Sequence, residues 1–180
     1  MSIGKTSIKW RMAFLLTFTG FILGIAAVAS THMAAAEVIP NREHHIGFWD
    51  LCKDTQTFGC QDLDEYLLSV GEDPEWAQAC RGLAVTSLII GGFSILMSVY
   101  LAYMASGIHL ASLGTALLNL LAVILGLISA LVFTLNSIDV LEEQLEMWSY
   151  PSWSFAVYIV GLGFYFLASI LHIYELCIGH

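Results

Sequence analysis

Four long stretches of this 180-residue chain contain no Asp, Glu, Lys or Arg: Met12–Ser30, Gly82–Met104, His109–Leu135 and Trp153–Tyr174. Charged residues make up 12% of the sequence and hydrophobic ones 58%, whereas soluble domains carry about 25% charge. This scarcity excludes an ordinary soluble domain. A hydrocarbon core about 30 Å thick takes about 20 apolar residues as a helix, so each stretch predicts one spanning helix. None shows the alternation that barrel strands need. The chain is expected to be an integral membrane protein with four spans (12–30, 82–104, 109–135 and 153–174). The first stretch has a second reading. Lys5, Lys9 and Arg11, the apolar run and Ala34-Ala35-Ala36 also fit a secretory signal peptide, whose cleavage would leave three spans.

Catalytic signatures are missing as well. There is no GxSxG, no HExxH and no phosphate loop, and the spans lack the acids and bases of proton relays. No enzyme or primary transporter is expected, and no cofactor. His44 and His45, with Glu43 and His32 nearby, invite a metal reading. Neighbours on a strand point to opposite faces and no second pair follows at ligand spacing, so no metal is expected. Asn41, Asn119 and Asn136 are not followed by the residues of a glycosylation sequon.

Basic residues number only six: Lys5, Lys9, Arg11, Arg42, Lys53 and Arg81. Three of them precede the first span, which places the N-terminus in the cytoplasm. Four spans return the C-terminus to the same side. Loops 31–81 and 136–152 then lie outside, with 105–108 and the tail 175–180 inside. The outer loops hold fourteen acids against three bases. Such a surface attracts cations and offers nucleic acid no foothold. Solvation of exposed loops is the more ordinary account of such acids. If they line a path, it prefers cations, with Asp62, Asp64, Glu65, Glu142 and Glu143 as contributors.

Trp10, Tyr100, Tyr103, Trp148, Tyr150 and Trp153 fall where spans meet headgroups. Gly20-x-x-x-Gly24, Gly91-Gly92 and Gly161-x-Gly163 permit close helix approach, within the bundle or to a partner. Asn119 and His109 suit interhelical hydrogen bonding or an interfacial place.

Four cysteines allow three complete pairings. Cys52 and Cys60 are the expected pair, because both sit in the first outer loop and the residues between them, Gly59 included, suit a hairpin turn. Ile46–Leu51 and Phe58–Leu63 are the expected flanking strands. A disulfide there agrees with an oxidising, non-cytoplasmic side. Cys80 and Cys177 are expected as free thiols, and the juxtamembrane place of Cys177 admits palmitoylation.

Gly47-Phe48-Trp49 followed by Cys52 and Cys60 resembles the core motif of the claudin, peripheral myelin protein, epithelial membrane protein and PERP superfamily. Gln78-Ala79-Cys80-Arg81-Gly82-Leu83 is similar to the segment that opens the second span in claudins. The resemblance implies a single domain over 1–180, an all-α membrane protein built as a left-handed bundle of four transmembrane helices. A small extracellular β-sheet tops the bundle, mostly from the first loop with one strand from the second. It implies structural roles for Trp49 at the membrane-facing base of the sheet, for Cys52 and Cys60 as a staple between strands, and for Arg81 as a cap of the second helix. The function it implies is that of a plasma-membrane protein at cell contacts, in adhesion, in a paracellular barrier or in a cation-selective path. An auxiliary subunit that modulates a channel or receptor is the alternative. Expected partners are membrane lipids and other membrane proteins: further copies, claudin-like proteins or a channel complex. The last residue, His180, lacks the hydrophobic side chain that fills a PDZ pocket, so no such scaffold is expected.

Overall fold

The computed structural model describes residues 8–39, 42–55, 58–103, 108–145 and 149–178. Helix α1 (Ile8–Val28) leads into strands β1 (Ala34–Ile39), β2 (Arg42–Ile46), β3 (Asp50–Thr55) and β4 (Phe58–Asp62). A short helix α2 (Leu63–Val70) and the long helices α3 (Glu75–Tyr103) and α4 (Ile108–Leu145) follow, then β5 (Ser149–Pro151) and α5 (Trp153–Ile178).

Four of these helices are long and apolar enough to cross a membrane: Ile8–Val28, Glu75–Tyr100, Ser112–Val140 and Trp153–Cys177. Large apolar side chains such as Phe18, Phe93, Leu117, Leu131 and Phe166 point outward from them. A belt of that kind is unfavourable in water and matched by hydrocarbon, so the chain is a multi-pass membrane protein. Packing runs round the bundle: α1 against α5, α5 against α4, α4 against α3 and α3 against α1.

The sheet has the order β4-β3-β2-β1-β5, every described pairing antiparallel. Side chains alternate across it. Ala34, Ala36, Ile46 and Leu51 turn inward and are buried, while Ala35, His45 and Cys52 take the other face. The inward row joins Leu63 and Leu67 of α2 with Phe133 of α4 and Tyr158 of α5 in one core. Sheet and bundle are therefore a single packed unit.

Hydropathy places several boundaries differently. Helix α3 begins at Glu75 rather than Gly82, because the Asp73 carboxylate accepts the Glu75 N–H at 3.1 Å and the Pro74 carbonyl accepts Gln78 N–H at 3.1 Å. Helix α4 runs to Leu145, ten residues past the expected end at Leu135. At about 1.5 Å per residue its 38 residues measure about 57 Å. Charge ends a hydrophobic run, but it does not end a helix once the chain has left the hydrocarbon. The expected strand over Ile46–Leu51 is instead a turn flanked by two strands, closed by Gly47 N–H to the Asp50 carbonyl at 2.9 Å. Gly59 lies within β4, not in the turn.

Inside the bundle, Asn119 of α4 donates to Thr17 Oγ1 of α1 at 3.2 Å and accepts from Ser94 Oγ of α3 at 2.7 Å. All three side chains are buried, so one amide ties three spans. His172 of α5 is buried too; Ser112 Oγ donates to its carbonyl at 3.2 Å and lies 3.4 Å from Nδ1. A span without Asp, Glu, Lys or Arg thus still carries a buried imidazole. The side chain of His109 lies outside the described residues.

Candidate functional site

The turn Gly47-Phe48-Trp49 sits where the sheet meets the bundle. A Cβ on Gly47 would lie 2.7 Å from both the Ser30 carbonyl oxygen and Thr31 Cα, so only glycine lets the turn close against the end of α1. Phe48 then points into the core, 4.9 Å from the Phe133 ring and 6.0 Å from the Tyr158 ring, centre to centre. Trp49 turns the other way. Its indole is half-exposed, and Nε1–H donates to the Val28 carbonyl at 2.9 Å, satisfying one of the unpaired carbonyls at the C-terminus of α1. An amphipathic ring with a bonded N–H suits a boundary between apolar and wet surroundings.

Arg81 closes the same corner from α3. It does not cap that helix, since it lies six residues inside the start at Glu75. Its Nε donates to the Phe48 carbonyl, Nη1 pairs with Asp64 Oδ2 at 2.9 Å, and the guanidinium stands 5.4 Å over the Trp49 ring. The Trp49 carbonyl is met by Leu63 N–H at 2.8 Å, and Arg81 Nη2 lies 3.5 Å from it. One cation thus joins the β2–β3 turn, α2 and α3. The spacing between Asp64 and Arg81 carries no local periodicity, so the pair is invisible until the chain folds.

Cys52 and Cys60 face each other across β3 and β4 and form a disulfide. Cys80 is a buried free thiol and Cys177 an exposed one. Replacing Cys52 and Cys60 together by serine is expected to lower stability by about 2 to 3 kcal/mol, the chain-entropy value for so short a loop. Thermal unfolding in detergent with and without reductant measures it: reductant should shift the wild type and leave the double variant unmoved.

The acids of the expected cation-attracting set separate into three groups. Asp62 and Glu65 are exposed; Asp62 Oδ1 accepts Asp64 N–H at 2.8 Å and caps α2. Asp64 is tied to Arg81, with Gln78 Nε2 also 3.4 Å from Oδ2, so its charge is locally matched. Glu142 and Glu143 fall on the last turns of α4, and their side chains lie outside the described residues. On α2, burial raises the Tyr66 phenol above its ordinary value of 10.0.

Histidines 44 and 45 diverge as strand neighbours must. His44 is buried on the inward row, while His45 meets His32 on the other face, their ring centres 4.2 Å apart. That meeting of residues from different segments has no signature in the sequence. Among the described residues, no group of three or more His, Cys, Asp or Glu side chains is placed to hold a metal ion. No protein-family model matches the chain, and neither does any curated protein.

Proposed function

We propose that this protein works at cell contacts as a claudin-like membrane protein, displaying its sheet on the extracellular side of the plasma membrane with both termini in the cytoplasm. The observation that carries the reading is the corner built by Trp49 and Arg81, which fastens a five-stranded sheet, its β3 and β4 joined by the Cys52–Cys60 disulfide, to the end of a four-helix bundle. A sheet held in this way is a platform with a fixed orientation to the membrane, suited to meeting a neighbouring copy or a protein on the facing cell. A left-handed bundle belongs to the same reading.

The exposed carboxylates Asp62 and Glu65 give the platform a cation-attracting rim. Asp62→Asn combined with Glu65→Gln tests this part, and asparagine keeps the helix cap while removing the charge. In an epithelial monolayer expressing the protein, the ratio of cation to anion conductance is expected to fall toward that of the untransfected layer. An unchanged ratio removes the path-lining role. The alternative, an auxiliary subunit, is tested by purification in mild detergent. Enrichment at cell borders with self-association supports the contact role; recovery of a channel or receptor in fixed stoichiometry supports the other.

A further inference from the structure

His32 lies on the connection from α1 to β1, and His45 on β2, thirteen residues later in the chain. Their rings are centred 4.2 Å apart and tilted by 36°. Both side chains are partly exposed, on the face of the sheet opposite the buried row of Ala34, Ala36 and Ile46. Thr31 Oγ1 is 3.0 Å from His32 Nδ1, which orients that ring and leaves its Nε2 as the outer nitrogen. A hydrogen bond on the far nitrogen is the usual support of a metal-binding imidazole.

We propose that His32 and His45 form an open site for a borderline divalent transition metal, Cu2+ or Zn2+, with water completing the coordination. Nitrogens about 2.0 to 2.1 Å from a tetrahedral ion stand about 3.3 Å apart, a separation within reach of two rings whose centres are 4.2 Å apart. In a stack the lone pairs lie in the ring planes and do not meet. Binding therefore turns one imidazole about its Cβ–Cγ bond, and because His45 Nδ1 is buried, the nitrogen that His45 offers is Nε2. Imidazole selects copper, nickel and zinc over the oxygen-seeking Mg2+ and Ca2+. Two protein ligands make an exchangeable site, not a structural one. An ion held there links the α1–β1 connection to β2, and so braces the sheet where it leaves the bundle.

Trp153 supplies the readout, because its ring centre is 5.9 Å from that of His32. The full-length protein in detergent is titrated with Cu2+ alone, following tryptophan fluorescence. Saturable quenching is expected, reversed by EDTA and lost in His32→Gln and in His45→Gln, but kept in His44→Gln. Trp153→Phe removes most of the quenching while leaving copper binding, read by electron paramagnetic resonance, intact. Zn2+ should displace Cu2+, and Mg2+ should not. A thermal shift on adding Zn2+, present in wild type and absent from both single variants, separates lost binding from lost folding. Quenching of wild-type size in His32→Gln and His45→Gln, or none that saturates in wild type, overturns the site.

Discussion

Arg81→Ala is expected to lower stability by about 3 to 5 kcal/mol, the range for removing one partner of a largely buried ion pair. The side chain is 12% exposed and that of Asp64 28%, so neither charge is freely solvated. Truncation strands the Asp64 carboxylate, whose Oδ1 already has no hydrogen-bond partner among the described residues. It also removes the donor to the Phe48 carbonyl, at the turn that carries Phe48 into the core. Arg81→Lys should fall between the wild type and alanine, because an ammonium restores the charge without the fork that spans two acceptors. Asp64→Asn should be milder than either, since the guanidinium keeps its hold on the turn. Thermal unfolding in detergent, with limited proteolysis of loop 31–74 as a local probe, ranks the three. If Asp64→Asn matches Arg81→Ala, the ion pair alone carries the effect and the anchoring of the turn contributes nothing.

The four spans are legible because hydropathy is a local sum, and a run without charge has one low-energy destination in a bilayer. The same sum misplaces helix ends, as at Glu75 and Leu145, since a capping carboxylate or an acid-rich surface helix leaves no apolar trace. The Cys52–Cys60 disulfide is legible from spacing and loop membership. Strand register is not. Whether Phe48 continues a strand or occupies a turn depends on how closely Gly47 can approach Ser30 and Thr31, and that contact joins distant parts of the loop. The Asp64–Arg81 pair and the His32–His45 stack belong to the same class. Each side chain has an ordinary local context, and its partner is chosen by the topology of the sheet. His172 escapes for another reason, because hydropathy marks a span by its lack of Asp, Glu, Lys and Arg, and a single imidazole leaves that run unbroken.

The glycines of the spans yield the other large effect, and here the structure distinguishes positions that look alike in sequence. Gly163 has open space where a Cβ would go, whereas a Cβ on Gly20 would stand 2.7 Å from the Gly161 carbonyl oxygen. Gly20→Ala is expected to cost about 3 kcal/mol, at the upper end of the range for overpacking, because the obstacle is backbone of α5 and no side chain can yield. Gly91→Ala meets a different obstacle. The new methyl would collide with the hydroxyl of Tyr165 and stand 2.6 Å from its Cζ. That hydroxyl is buried with no hydrogen-bond partner in the described structure, so it holds Tyr165 in place by packing alone. Tyr165→Leu should therefore rescue Gly91→Ala, while Tyr165→Phe, which keeps the ring against the methyl, should not. No substitution at 165 should rescue Gly20→Ala. Thermal unfolding of the single and double variants measures the coupling. Strict additivity between positions 91 and 165 would mean that α3 and α5 do not meet there, and the packing of the bundle around its centre would have to be redrawn.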